Sequence, residues 1–149
     1  MRAVIQRTTG SQVLVNHQEI ASIGKGLMVL LGIKKGDSTK DADYIINKII
    51  NLRIFPDNNG KMNLSLLDIS GEVLLVSQFT LYGDARKGRR PGFSDAELPE
   101  AALPLFEYSA KLLRQAGIKV QTGEFGANMM VKINNDGPVT ILLDSEKLF

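Results

Sequence analysis

The chain has 149 residues, and its 18 Lys and Arg side chains against 16 Asp and Glu side chains give a formal net charge of +2. Hydrophobic residues make up 44% and charged residues 23%, which is typical of a globular protein with a single domain over residues 1–149. The absence of cysteine excludes disulfides, thiolate nucleophiles and cysteine-ligated metal sites. A single histidine excludes a histidine-rich metal centre, so we expect neither a metal nor another cofactor.

The opening sequence, MRAVIQRTTG, lacks the apolar core of a signal peptide, and no apolar stretch approaches the length of a membrane span. We therefore expect a cytoplasmic protein without a membrane partner. A net charge of +2 gives no broad nucleic-acid signature, but it permits a local basic patch.

The first third of the chain has the pattern of β-strands. Arg2–Thr8 alternates, and Ser11–Val15 and Glu19–Ile23 flank the turn Asn16-His17 as in a hairpin. The turn context makes His17 an unsuitable catalytic base. Leu27–Ile33 is a continuous apolar run, which is typical of a strand covered on both faces.

A helix is predicted next, with N-cap oxygens offered by Asp37, Ser38 and Thr39. Five residues then follow at helical spacing: Ile45, Ile46, Ile49, Ile50 and Arg53. The turn residues of Pro56–Gly60 end this helix, and Met62–Leu67 reads as a short extended segment.

Glu72–Tyr82 is a β-rich run that becomes polar partway along, and Gly83–Ser94 is a loop. A second helix is predicted over Glu97–Ala116, with Gly117 as its C-terminal stop. Its inward residues are Leu105, Phe106, Leu112 and Leu113.

The chain ends in β-structure. Strands are predicted at Ile118–Thr122, Asn128–Ile133 and Val139–Leu143, with a turn at Asn134–Gly137. The whole pattern predicts an α+β fold with a mainly antiparallel sheet, curled toward a barrel, and two helices.

An apolar strand ends in two hydroxyl side chains, an amide and two aromatic side chains, which belong to Ser77, Thr80, Gln78, Phe79 and Tyr82. Strand ends and the loops after them often present functional groups. The alternative is that Ser77 and Thr80 bond locally to backbone in an ordinary strand, which Thr and aromatic residues favour.

Asn134–Thr140 carries a second set of polar residues around Gly137-Pro138. Its simplest interpretation is a hairpin turn. A cis Gly137–Pro138 bond is an open alternative, and it would point the two carbonyls in directions that a trans bond does not allow.

The loop Asp84–Arg90 places Arg86, Lys87, Arg89 and Arg90 directly after the polar strand end. A solvated flexible loop is one interpretation, and phosphate contact is the other. The position next to Ser77–Thr80 favours a polyanionic substrate that enters there.

Ser77-Gln78-Phe79-Thr80 and Asn135–Thr140 resemble, in order and spacing, the two signature motifs of the D-aminoacyl-tRNA deacylase family. The opening Met1–Arg7 and the loop Gly88–Phe93 are also similar to that family. The resemblance covers the chain from end to end.

The resemblance implies a homodimer that hydrolyses the ester joining a D-amino acid, or glycine, to the 3′ end of tRNA. Residues 77–80 would line the catalytic pocket, and Phe125 and Met129 would lie near the terminal adenine. Gly137-Pro138 would be a cis dipeptide that enters the partner subunit's site, supported by Arg7. The family is described as using the terminal 2′-hydroxyl of the tRNA to activate water.

This mechanism agrees with a chain that offers no suitable base to activate a serine or threonine. Backbone N–H groups near Phe79 and Thr80 are candidates for stabilising the oxyanion. A rigid Gly137-Pro138 wall would reject L-amino acids by collision but could not exclude glycine, so we expect glycyl esters, including glycine mischarged on tRNA-Ala, to be substrates.

Two other classes of function remain open. One is a non-catalytic RNA-binding module that stacks bases on Phe79, Tyr82 and Phe93 beside the basic loop. The other is a structural dimer in which the Gly137-Pro138 turn only shapes an interface.

Overall fold

The computed structural model describes residues 1–149, and no helix in it is both long and apolar enough to cross a bilayer. Two helices accompany the strands, α1 (Thr39–Asn51) and α2 (Pro99–Gln115). The strands are β1 (Arg2–Val15), β2 (Gln18–Ile23), β3 (Gly26–Gly32), β4 (Phe55–Pro56), β5 (Met62–Leu64), β6 (Glu72–Ser77), β7 (Lys119–Thr122) and β8 (Met130–Asp144).

Six strands form one curled sheet in the order β2-β1-β3-β6-β7, and β8 pairs with β1. β1 is antiparallel to β2, β3 and β8, whereas β3–β6 and β6–β7 are parallel. β2 lies against β6 and β7, so the sheet is nearly closed. The predicted α+β class with a barrel-like sheet and two helices is confirmed. The parallel part is larger than predicted because α1 and α2 lie in the crossovers that parallel strands require.

The core lies on both faces of the sheet. Leu27, Val29 and Leu31 of β3 pack in the cluster that includes both helices. Met28, between them, belongs to a smaller cluster inside the curl, together with Leu74 of β6. This alternation has the period of two expected of a strand, and it confirms that Leu27–Ile33 is covered on both sides.

Both predicted helices are confirmed. Asp41 Oδ2 accepts a hydrogen bond of 2.8 Å from Ser38 N–H at the start of α1, and Ile45, Ile46 and Ile49 are buried. The helix ends at Asn51, so Arg53, which matched the helical spacing, lies beyond it. At the end of α2, Gly117 has a φ of +83°, as expected of a C-terminal glycine.

The hairpin at Asn16-His17 is also confirmed, because these two residues have φ values of 50° and 64°, as a type I′ turn requires. β1 is one strand of 14 residues and not the two that were predicted. It pairs with β3 along its first half and with β2 along its second half.

The predicted turn at Asn134–Gly137 is wrong. Residues 130–144 form a single strand that pairs with β1 on both sides of this segment. Thr140 pairs with Gln6 and Asn135 pairs with Thr8, so β8 has extra residues between these two pairs. Residues 136–139 therefore form a bulge, which projects from a continuous strand.

Candidate active site

A large cavity lies beyond the carboxyl ends of the parallel strands β3, β6 and β7. Because parallel strands end at the same edge of a sheet, the segments that follow them meet there, and such edges are common ligand sites. The cavity has a volume of about 580 Å³ and a mainly apolar wall. The lining residues are Ile33, Val76, Ser77, Gln78, Phe79, Phe93, Ala96, Glu97, Leu98, Pro99, Ala102, Phe125, Gly126, Ala127, Asn128, Met129 and Val131.

The wall thus brings together residues that the sequence singled out in three separate segments: Ser77, Gln78, Phe79, Phe93, Phe125 and Met129. Thr80 is exposed and is not part of the wall. The basic loop and Gly137-Pro138 also lie outside the wall.

The predicted strand Glu72–Tyr82 is wrong in its second half. β6 ends at Ser77, and Phe79–Tyr82 forms a single 3₁₀ turn. Gly32 of β3 leaves room for this turn, since a Cβ there would lie 2.9 Å from Gln78 O and 3.0 Å from the Cβ of Leu81.

The turn leaves two backbone donors at its start. Its first hydrogen bond runs from Leu81 N–H to Gln78 O, at 3.3 Å. The N–H groups of Phe79 and Thr80 come before that bond, so the turn itself does not satisfy them. The Gln78 side-chain amide donates to the Thr80 hydroxyl, which holds that hydroxyl beside the turn.

Phe125 and Met129 lie on the loop between β7 and β8. The Phe125 ring packs against Phe106 of α2, with 5.8 Å between ring centroids. A Cβ at Gly123 would lie 2.6 Å from Met129 Sδ, so glycine at this position allows the methionine to reach the cavity wall.

The three aromatic residues proposed to stack bases have different environments. Phe79 and Phe93 are 54% and 38% exposed and pack edge to face, with 5.2 Å between centroids. Tyr82 is only 5% exposed and lies under the Arg2 guanidinium, which is 4.6 Å from its ring centroid. Burial, together with the charges of Asp37 and Asp144, raises the pKa of Tyr82, so its hydroxyl stays protonated. Tyr82 therefore cannot serve as a stacking surface, contrary to the sequence-based alternative.

The basic loop is closed at its base by two backbone hydrogen bonds between Asp84 and Gly92, of 2.7 and 2.9 Å. Arg86 forms two hydrogen bonds of 2.8 Å to the Asp84 carboxylate, and this contact lowers the pKa of Asp84. Lys87, Arg89 and Arg90 are exposed and make no ion pair. Three of the four side chains that were predicted to contact phosphates are thus cations without an ion-pair partner.

Gly137 and Pro138 occupy the exposed tip of the bulge in β8, and the bond between them is cis. Arg7 Nε lies 2.9 Å from Asp136 Oδ2, and Arg7 Nη1 donates to Ile54 O at 2.7 Å, so the arginine ties the bulge to the core. Asn135 Oδ1 accepts a hydrogen bond from Val139 N–H at 3.0 Å across the bulge.

The sequence is similar to proteins of one family along almost its whole length. The family model described as D-Tyr-tRNA(Tyr) deacylase matches residues 4–144. Two relatives named D-aminoacyl-tRNA deacylase, from Syntrophomonas wolfei and Thermosipho melanesiensis, are 67% and 61% identical, and each match covers 100% of both chains.

The chain belongs to the D-aminoacyl-tRNA deacylase family. It is accordingly a hydrolase that acts on ester bonds.

Two solved structures have the same fold. A protein described as c-Myc DNA unwinding element binding protein aligns with a TM-score of 0.91 and 42% identity, over 97% of this chain and 98% of its own. A probable eukaryotic D-amino acid tRNA deacylase aligns with a TM-score of 0.82 and 18% identity, over 95% of this chain and 97% of its own.

The sequence did not indicate that the start of α2 contributes to the site of this deacylase-family chain. Ala96, Leu98, Pro99 and Ala102 line the cavity, and Glu97 is the one ionisable side chain in its wall. The sequence carried one signal for this region, the apolar pair Leu98-Pro99 at the predicted start of a helix. Apolar residues are poor N-caps, so their presence there indicates a role other than capping.

The wall contains no histidine or lysine, and Glu97 Oε1 is engaged by the Leu98 N–H at 2.8 Å. No group of three or more His, Asp or Glu side chains is placed to hold a metal ion. The site therefore offers an apolar cavity with polar side chains at the end of β6, and the turn that follows carries two backbone N–H groups that it does not itself satisfy. These groups can position an ester and stabilise an oxyanion.

Proposed function

We propose that this chain, acting as one domain over residues 1–149 in the cytoplasm, hydrolyses the ester that joins a D-amino acid to the 3′ end of tRNA. The products are the free D-amino acid and the tRNA. The observation that carries the proposal is the 580 Å³ cavity, in which Ser77–Phe79 meet Phe125 and Met129. We assign Ser77, Gln78, Phe79 and Thr80 to the reaction, and Phe125 and Met129 to the terminal adenosine.

In the proposed reaction, water attacks the ester carbonyl carbon and the resulting oxyanion accepts hydrogen bonds from the Phe79 and Thr80 N–H groups. Collapse of this intermediate breaks the bond to the 3′-oxygen, which takes up a proton. The 2′-hydroxyl of the terminal ribose assists the proton transfer. The absence of histidine and lysine from the cavity wall supports this substrate-assisted route over a covalent one.

Selectivity for D-amino acids is assigned to Gly137 and Pro138 of a partner subunit. In one chain these residues are exposed and lie outside the cavity wall, so they do not complete their own site. A second copy placed with its bulge in the cavity would occupy the space that an L side chain needs. Glycine has no side chain to collide, so glycyl-tRNA, including glycine mischarged on tRNA-Ala, is a proposed second substrate.

The outer edge of β8 supports a homodimer. β8 pairs only with β1, which leaves an unpaired strand edge of 15 residues, and such an edge is usually covered. Met130 and Leu142 are 63% and 53% exposed on this strand. Apolar exposure beside an open edge and a projecting bulge is consistent with a surface that a second copy covers.

The basic loop is the proposed contact for the tRNA backbone. Arg86 shapes the loop through Asp84, and Lys87, Arg89 and Arg90 are free to meet phosphates.

The direct test compares hydrolysis of D-Tyr-tRNA and L-Tyr-tRNA by the purified protein, with glycyl-tRNA as a third substrate. We expect rapid loss of D-Tyr and glycine and no enzyme-dependent loss of L-Tyr. Equal rates on the two tyrosyl esters would contradict exclusion of L-amino acids, and no hydrolysis of any ester would contradict the function.

The second candidate is nucleic-acid binding without turnover. The exposed Phe79–Phe93 pair beside a basic loop favours it. A solved structure with 42% identity is described as a DNA unwinding element binding protein. The deacylation assay separates the two candidates, because this one predicts binding of tRNA with no release of amino acid.

A further inference from the structure

Two aromatic side chains, Phe79 and Phe93, lie between the cavity and the basic loop. The proposed reaction uses the backbone N–H of Phe79 but gives no role to either ring. Phe79 and Phe93 both line the cavity, and both also expose a large part of their surface. Their rings meet edge to face, with 71° between the planes. We define these two side chains as the aromatic platform.

The platform is fixed in place by its surroundings. A Cβ at Gly83 would lie 3.1 Å from Phe93 Cε1, so this ring packs directly on the backbone at the start of the loop. Phe93 O accepts a hydrogen bond from Ala96 N–H at 3.1 Å. A rigid aromatic surface loses little entropy when a ligand stacks on it.

The cations of the basic loop are close to the aromatic platform along the chain. Phe93 directly follows Gly92, whose backbone closes the loop against Asp84. Two of the three free cations, Arg89 and Arg90, therefore lie four and three residues before Phe93 in the chain. An exposed aromatic surface beside unpaired cations is the pattern that binds single-stranded nucleic acid, with bases on the rings and phosphates on the cations.

We propose that the aromatic platform stacks the base of the nucleotide that precedes the terminal adenosine of the substrate. This inference rests on the proposed function, which places the terminal adenosine in the cavity beside Phe125 and Met129. The phosphate that links the two nucleotides then faces the loop cations. Because every base has a π-face, the subsite accepts any base at this position.

The test uses two minimal substrates, the D-tyrosyl 3′ ester of adenosine and the same ester of the dinucleotide cytidylyl-adenosine. The wild-type protein should hydrolyse the dinucleotide ester with the higher kcat/KM. Loss of base stacking on an aromatic side chain costs about 5- to 150-fold in affinity, so Phe93→Ala should reduce the preference by at least about fivefold.

Matched variants separate stacking from other effects. Phe93→Leu keeps an apolar side chain without a π-face and should also lose the preference, whereas Phe93→Trp should restore it. Ile20→Ala removes an apolar side chain that is 44% exposed on β2, away from the cavity, and should leave the preference unchanged. Replacing the cytidine by uridine or guanosine should change the preference by less than about threefold.

An equal fall of kcat/KM on both esters in Phe93→Ala would assign this ring to the adenosine cavity alone and would overturn the proposal. A preference that survives the substitution would overturn it as well.

If neither minimal ester is hydrolysed, D-Tyr-tRNA hydrolysis decides the proposed function, and binding decides the platform separately. The measurement is calorimetric titration of the trinucleotide CpCpA into the wild-type protein and Phe93→Ala. Weaker binding by the variant supports the platform, and equal binding contradicts it.

Discussion

Replacing Arg89 and Arg90 by alanine tests whether the loop after Gly83 contacts the tRNA backbone. The structure divides the four cations of this loop into two kinds. Arg86 is held by the Asp84 carboxylate, whereas Lys87, Arg89 and Arg90 have no ion-pair partner. The double substitution therefore removes two of the three free charges and keeps the Asp84–Arg86 pair that shapes the loop.

The expected magnitude follows from counterion release. Each phosphate contact with a single strand contributes about −0.7 to the slope of log K against log salt, and each contact with a duplex contributes about −0.9. Three free cations thus give a slope of about −2 to −3, and one remaining cation gives about −0.7 to −0.9.

The assay is fluorescence anisotropy with labelled, deacylated tRNA over a range of KCl concentrations. A control with the same change in net charge is Lys40→Ala with Lys111→Ala, since both lysines are exposed on helices that lie outside the loop. We expect the control to keep the wild-type slope. A loop variant whose slope equals that of the wild-type protein would refute the assignment of the loop to the tRNA backbone.

Three further outcomes are expected. Thr80→Ala should lower kcat by less than about tenfold, because the hydroxyl lies outside the cavity wall. A loss of more than about 10³-fold in a folded variant would instead give the hydroxyl a chemical role. Glu97→Gln should keep the shape of the pH–rate profile under single-turnover conditions, and loss of an acidic limb would identify Glu97 as the base. Arg2→Ala should lower the free energy of unfolding by about 2 kcal/mol in urea titrations, since Arg2 donates to Asp144 at 2.9 Å and to Leu81 O at 3.1 Å. Arg2→Lys should recover part of that loss, and a change below about 0.5 kcal/mol on removing Arg2 would show that these contacts do not stabilise the fold.

The sequence was sufficient to predict those helices and strands whose pattern depends on residues that are neighbours along the chain. Ile45, Ile46 and Ile49 follow the helical period, and all are buried in α1. The run Leu27–Ile33 has the composition of a strand covered on both faces, and it forms the centre of the sheet. Such patterns depend on neighbours along the chain, so one sequence contains them.

The sequence was insufficient where a distant segment decides the structure. Ser77–Tyr82 has the composition of a strand, but the chain turns after Ser77 and packs Gln78 and Leu81 close to Gly32. Residues 134–137 have the composition of a turn, but pairing with β1 continues on both sides of them. In both places tertiary contacts outweigh local propensity.

The same limit applies to the candidate site. Ser77–Phe79 were singled out by the composition of a strand end and by the family resemblance, whereas Phe125 and Met129 were identified through the resemblance alone. The structure shows that all of them line one cavity. Glu97 and its neighbours at the start of α2 had no recognisable motif. They reach the cavity because α2 crosses between the parallel strands β6 and β7.

In the proposed dimer, Gly137 and Pro138 of a second subunit complete each cavity. This arrangement can be tested by mixing two inactive variants. Gly137→Val distorts the bulge, since Gly137 has a φ of +121° and a Cβ there would lie 2.8 Å from Val139 Cγ2. A distorted bulge seated in the partner's cavity is expected to obstruct the substrate there, which makes this variant inactive on D-Tyr-tRNA. Ala127→Trp fills the cavity from the loop that follows β7.

The decisive measurement is D-Tyr-tRNA hydrolysis by the two variants after co-expression, with each variant alone as the control. A mixed dimer contains one cavity with both parts intact, so random pairing should restore about a quarter of the wild-type activity. Mixed dimers that form but remain as inactive as the separate variants would contradict a site shared between subunits.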